Sequence, residues 1–257
     1  MCVMNNPTPQ PARMAPGRDR RDITLCVHAS EPSPAYPALL ASAIDVVEGD
    51  LVDLRVQAMA SRNEPLDAVA NAASMIAIVP ASTAVRAICR GLRARIVCAA
   101  VAPADYATFD SEPAVPLGPS NDGPRARVRR PRAVLIASEH SLVAESVQVG
   151  AAVRVYWRCA AAAIADPVVL TVALACEFEL PYGAAAREAE RALATWRLEP
   201  AVSWVGLRAV VHDLIARGEV PAVIDVGAIL DERFVRADRR RASADNDSPP
   251  TPWTPAA

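Results

Sequence analysis

Short apolar segments alternate with helix-like segments through the first hundred residues, and this alternation is the feature that most constrains the fold. Four segments have the apolar or alternating pattern of strands, at 22–28, 51–56, 75–79 and 95–101. Three helical patterns lie between them, at about 35–48, 64–72 and 80–91. Strands separated by helices favour a parallel sheet with crossover connections. The first part of the chain is therefore predicted to be an α/β lobe.

The second half of the chain has a different pattern. A further strand is predicted at 133–137, and the chain is helical from about 143 to 218. Two helices carry apolar stripes at helical spacing, which predict core-facing surfaces. The stripes are Ala185, Ala189, Ala192, Leu193 and Trp196, and Leu207, Val210, Val211, Leu214 and Ile215. Residues 110–132 separate the two halves and are rich in proline and arginine, as a linker would be.

Composition excludes several classes of function. The chain has only 10 glycines, and none are spaced to cradle a nucleotide phosphate. Its 6 cysteines form no C-x-x-C pair, so neither a metal nor a cofactor is predicted. The net charge of -2 provides no field for nucleic acid, and the longest uncharged run, 68–85, contains too many polar residues for a membrane span. Residues 1–22 lack an apolar signal region, so the sequence as written predicts a cytoplasmic protein.

Two places in the sequence could contact a ligand. His28 ends the first predicted strand, and open α/β sheets bind ligands outside the carboxyl ends of their strands. Ser82 and Thr83 open a helix after the strand at 75–79, where backbone N–H groups favour an anion. An ordinary helix N-cap is the structural alternative at this second place. No pair of acid and base residues stands out, so we predict that the chain is not an enzyme.

Several phrases in the sequence resemble one family. The segment 66–91, LDAVANAASMIAIVPASTAVRAICRG, resembles the first lobe of ABC transporter substrate-binding proteins of the sulfonate/nitrate/thiamine-precursor type, the SsuA-like group. Five later segments resemble the same family: Ala133–His140, Ile164–Pro167, Leu180–Tyr182, Leu214–Gly218 and Ile224–Phe234. The resemblance covers about 23–236 as one long ordered pattern. It departs from the family at 74–77, where Ser-Met-Ile-Ala replaces the usual Asp-Ile-Gly strand.

The resemblance implies a periplasmic-binding-protein-like (type II) fold with a parallel-rich sheet and a helical C-terminal segment. Family members close two α/β lobes on a ligand, but here only 110–132 lies where the second lobe would be inserted. Since one βαβ unit needs roughly 30 residues, this linker replaces most of that lobe. The predicted domains are a disordered leader at 1–22, the N-terminal part of the lobe at 23–109, the linker at 110–132, the hinge strand and helical part at 133–236, and a disordered tail at 237–257.

The resemblance also implies a function and a set of contacts. First-lobe contacts in the family come from loops after the strands, which adds further residues to His28 as candidate ligand contacts: Ser30, Tyr36, Ser61, Ser82 and Thr83. The implied function is non-catalytic binding of a small anionic or heterocyclic solute, with an ABC transporter permease as a partner. A start upstream of residue 1 would place the protein in the periplasm or at the cell surface.

Loss of a lobe leaves two alternatives open. In the first, the chain is an interaction or accessory protein, and a partner or a second copy in a homo-oligomer covers the open cleft wall. In the second, it is a small-molecule enzyme on the same scaffold, with His28 as its acid/base group.

Overall fold

The computed structural model describes residues 21–28, 33–41, 52–71, 76–101, 105–107 and 128–235. These residues contain seven strands: β1 (Arg21–His28), β2 (Val52–Met59), β3 (Ile76–Pro80), β4 (Ala94–Ala99), β5 (Asp105–Ala107), β6 (Val128–Arg130) and β7 (Ala133–Ser138). They also contain nine α-helices: α1 (Tyr36–Leu39), α2 (Glu64–Asn71), α3 (Ala81–Cys89), α4 (Glu139–Ala144), α5 (Ser146–Ala165), α6 (Pro167–Glu177), α7 (Tyr182–Thr195), α8 (Trp204–Ala216) and α9 (Val226–Ile229). A 3-10 turn, Ser33–Ala35, precedes α1.

Five strands form the central sheet in the order β2-β1-β3-β7-β4. β1 is parallel to both β2 and β3, whereas β7 is antiparallel to β3 and to β4. β7 therefore enters the sheet between two strands that precede it in sequence by more than thirty residues. The predicted α/β fold with a parallel-rich sheet is confirmed, and β7 is the strand that departs from a purely parallel arrangement.

Both faces of the sheet are buried because its strands are apolar at consecutive positions. On β1, Leu25 and Val27 face a core that includes α1, α5, α6 and α7, while Cys26 faces the opposite core with α2, α3 and α8. A sheet covered on both sides selects near-continuous apolar strands, such as IAIV in β3 and AVLIA in β7. The result is three layers, with helices on either side of the sheet.

Local sequence signals set the ends of several helices. The side chain of Asp166 accepts the Val168 N–H at 3.0 Å and Pro167 occupies the first turn, so α6 starts there. Ser203 caps α8 in the same way. Gly91 and Gly218 follow α3 and α8 with φ of 103° and 68°, a region that residues with a Cβ rarely adopt.

The predicted elements agree with the structure to within a few residues. Both apolar stripes are confirmed as core-facing, with Ala189 and Leu214 among their buried members. The predicted helix at about 35–48 begins as α1, but α1 ends at Leu39 and a turn follows at 40–41; residues 42–51 lie outside the described residues.

β5 precedes the predicted linker at 110–132, and β6 lies near the end of that linker. β5 and β6 pair antiparallel, with Asp105 opposite Arg130. Residues 108–127 connect them and lie outside the description, as do the predicted leader through residue 20 and the predicted tail. The domain boundaries therefore stay predictions.

No single helix among the described residues is both long enough and apolar enough to cross a membrane. Within the described ranges, one pair of helices, α5 and α6, reaches that length and composition when taken together, and the two bend by 112° where they meet.

Candidate functional site

The carboxyl ends of four strands meet at one end of the sheet. β1, β2 and β3 run parallel, and β4 runs the same way because both it and β3 are antiparallel to β7. The amino end of β7 lies at this end too. We call it the carboxyl edge, meaning His28, Ala60–Asn63, Pro80–Thr83, Ala100–Val101 and Arg132–Ala133.

His28 and the turn after β2 are in direct contact at this edge. Nε2 of the imidazole lies 3.2 Å from the carbonyl oxygen of Ala60, and because a carbonyl can only accept, Nε2 donates in this bond. The turn is ordered by its own hydrogen bonds. The Ala60 N–H donates to the carboxylate of Glu64 at 2.9 Å, and the Asn63 N–H donates to Oγ of Ser61 at 3.4 Å. Thus His28 and Ser61 belong to one local cluster.

Ser82 and Thr83 lie in the first turn of α3, directly after β3. Pro80 precedes the helix and provides no side-chain cap. The N–H of Ala81 donates to the carbonyl oxygen of Arg132 at 2.9 Å, which ties the helix start to the strand connection β6–β7. Both hydroxyl side chains are half-buried. Because α3 starts at the carboxyl edge, the positive end of its dipole lies there.

Tyr156 of α5 connects two segments near the carboxyl edge through hydrogen bonds. Its side chain is fully buried in α5. Its hydroxyl accepts the Val101 N–H at 3.0 Å and donates to the carbonyl oxygen of Pro34 at 2.6 Å. Val101 follows β4, and Pro34 lies in the 3-10 turn after β1, so one hydroxyl joins the segments that follow two strands of the sheet. Burial raises the pKa of Tyr156 well above its ordinary value, and the residue stays a neutral donor.

Comparison with solved structures gives a consistent fold. The alkanesulfonate-binding protein SsuA from Xanthomonas axonopodis pv. citri bound to MOPS aligns with a TM-score of 0.58 at 10% identity, over 84% of this chain and 100% of that chain. The periplasmic aliphatic sulphonate binding protein SsuA from Escherichia coli gives 0.56 at 10% identity, over 84% and 93%. A Candida albicans protein with the generic periplasmic binding protein fold gives 0.58 at 10% identity, over 83% and 96%.

The chain has a periplasmic-binding-protein fold. No family model matches the sequence. No curated protein matches it either. At 10% identity the structural similarity establishes the fold, and the ligand has to be argued from the residues of this chain.

Within this periplasmic-binding-protein fold, four of the six candidate ligand residues lie at the carboxyl edge: His28, Ser61, Ser82 and Thr83. Ser30 lies outside the described residues. Their role in ligand binding stays a prediction.

Tyr36, the remaining candidate, has different surroundings. It is buried at the start of α1, its hydroxyl donates to the carboxylate of Glu188 at 3.1 Å, and its ring packs on Phe178 at 6.1 Å between centroids. Burial and the neighbouring carboxylate raise the pKa of Tyr36. These contacts form one wall of a shallow groove of about 510 Å³ between α1 and the α6–α7 turn, which also includes Arg187 and Arg191.

Two residues at or beside the carboxyl edge were not among the predicted ligand contacts. Tyr156 looks like one more apolar position of α5, and only its two hydrogen bonds reveal its role. Arg132 is one of several arginines in 110–132 and has no distinguishing local pattern. Within the described ranges, no three or more His, Cys, Asp or Glu side chains form a group that could hold a metal ion.

Proposed function

We propose that the chain binds a small anionic or heterocyclic solute at the carboxyl edge, without catalysis, as the substrate-binding component of an ABC importer. The observation that carries this proposal is the carboxyl edge itself. A hydrogen-bonded cluster around His28 and Ser61 lies beside the hydroxyls of Ser82 and Thr83, in a fold shared with sulfonate-binding proteins. Open α/β sheets bind ligands at this end of their strands.

The chemistry of this edge suits recognition better than catalysis. Serine and threonine hydroxyls and the imidazole of His28 can donate to or accept from a polar ligand. His28 donates from Nε2 to a backbone carbonyl, which orients the ring at this edge. The enzyme alternative would need an acid/base partner, and the carboxylate next to this edge, that of Glu64, binds a backbone N–H.

The same proposal includes a location. Since the Escherichia coli neighbour is described as periplasmic, we propose that this chain works outside the cytoplasmic membrane together with a permease. Fusion to a reporter enzyme that is active only after export tests this part. A reporter that stays inactive while the fusion accumulates in the cell would contradict it.

Thermal unfolding of the full chain tests ligand binding. The panel consists of MOPS, inorganic sulfate, nitrate, bicarbonate and uracil, each at constant ionic strength. A ligand at about 100 times its Kd stabilises the folded state by about 2.7 kcal/mol, which corresponds to a rise in Tm of roughly 5–10 °C for a domain of this size.

Variants connect any such shift to the carboxyl edge. Replacement of Ser82 or His28 by alanine should abolish most of the ligand-induced shift. His140→Ala, an exposed histidine at the opposite end of the sheet, should leave it unchanged. A shift that survives both edge substitutions would place the ligand elsewhere. A cooperative transition that no ligand moves would reject solute binding and favour the interaction-protein alternative.

A further inference from the structure

Arg132 lies beside the proposed binding site, although it is distant from its other residues in sequence. Its carbonyl oxygen accepts the Ala81 N–H at 2.9 Å, and the next residue, Ala133, pairs with Pro80 across β3 and β7. The backbone of Arg132 is therefore packed against the first turn of α3, one residue before Ser82. Arg132 lies in the short connection between β6 and β7.

Charge balance separates Arg132 from the other arginines near the site. Arg130, two residues earlier, forms a two-contact ion pair with Asp213 of α8. Arg62 shares its turn with the carboxylate of Glu64. Arg132 is exposed, and no carboxylate of the described part of the chain lies within ion-pair distance of it. Among the described residues, its positive charge is thus left without an ion-pair partner.

The register of the strands brings this charge close to His28. Val27 pairs with Ile78 across β1 and β3, and Pro80 pairs with Ala133 across β3 and β7. Neighbouring strands are about 4.8 Å apart, and Arg132 lies two positions further along the sheet than His28, so their backbones are separated by roughly 12 Å. A small molecule bound between His28 and Ser82 therefore lies within the span of an arginine side chain.

We propose that Arg132 contacts the ligand and makes the carboxyl edge selective for an anion over a neutral heterocycle. This inference rests on the proposed function and decides between its two ligand classes. A guanidinium presents a planar set of N–H donors that matches the oxygens of a carboxylate, sulfonate or phosphate group. A neutral heterocycle gains no comparable charge-assisted bond.

The test uses Arg132→Gln, which removes the charge and keeps a polar side chain of similar reach. Arg93→Gln is the matched control, because Arg93 is an exposed arginine just before β4, at the opposite end of the sheet. The probes are inorganic sulfate, MOPS and uracil. The imidazole C2–H signal of His28 reports binding by NMR, and the chain has only 3 histidines, so His140→Gln and His212→Gln assign it.

We expect Arg132→Gln to weaken sulfate and MOPS binding by about tenfold or more, the usual effect of losing a charge-assisted bond. Arg93→Gln should bind both anions as the wild type does. Equal anion affinities in the two variants would overturn the role of Arg132. Binding of uracil without sulfate or MOPS would overturn it as well, while leaving solute binding intact. Failure of all three probes to bind the wild-type chain would reject both proposals.

Discussion

The hydroxyl of Tyr156 offers a sharp test of how the carboxyl edge is held together. Tyr156→Phe removes one oxygen atom and keeps the ring, which packs edge-to-face on Trp157 at 5.5 Å. The substitution leaves the N–H of Val101 and the carbonyl oxygen of Pro34 without their described partner. It therefore isolates the contribution of two hydrogen bonds from that of apolar packing.

The expected cost follows from burial. Val101 is fully buried, so its N–H cannot exchange the lost bond for water, and a buried unsatisfied group costs about 1–3 kcal/mol. Pro34 is half-buried, and its carbonyl loses less. We expect a loss of about 2–4 kcal/mol in the free energy of unfolding, a decrease in Tm of roughly 5–12 °C at this chain length.

Urea unfolding at neutral pH measures this loss, with thermal unfolding as a second readout. The matched control is Tyr182→Phe, the same change at a side chain that is 58% exposed, which should alter stability by less than about 0.5 kcal/mol. The denaturant slope should be the same in all three proteins. If Tyr156→Phe falls within the range of the control, the two hydrogen bonds do not stabilise this edge and the reasoning is refuted.

Three further predictions concern other parts of the chain. Gly91→Ala should lower the free energy of unfolding by about 1–2 kcal/mol, because φ is 103° at this position. The control is Gly183→Ala, at an ordinary φ in α7, which should be neutral or stabilising by up to about 1 kcal/mol; urea unfolding measures both variants. Burial raises the pKa of Cys159 to about 12, so above the unfolded thiol's value of about 9.0 this residue should lower the free energy of unfolding by about 1.4 kcal/mol per pH unit. Other buried thiols and tyrosines add to the total slope, and Cys159→Ala should reduce it by that amount; a variant with the wild-type slope would contradict the prediction. Asp213→Asn should lower the free energy of unfolding by about 1 kcal/mol, because its ion pair with Arg130 is partly exposed. The substitution should also speed amide hydrogen exchange in β6, and unchanged exchange would show that the ion pair does not stabilise this strand.

The sequence by itself determined the elements and the fold class. Strand and helix patterns follow from local periodicity, and the apolar residues on both faces of β1 and β3 already require helices on each side of the sheet. Helix ends are local as well, because a cap such as Asp166 or a glycine such as Gly218 acts within a few residues. The stripe on α8 predicted its buried face for the same reason.

Only the tertiary structure decided which residues share the carboxyl edge. The local sequence of β7 does not predict that this strand inserts antiparallel between β3 and β4. Because of this insertion, Arg132 lies against the first turn of α3. The same holds for Tyr156, whose hydroxyl bonds groups 55 and 122 residues away in sequence. The neighbours of Tyr36 are set in the same way, since the packing of the whole chain brings Phe178 and Glu188 to it. Periodicity and capping are properties of neighbouring residues, whereas strand order and register are chosen by the packing of the whole chain.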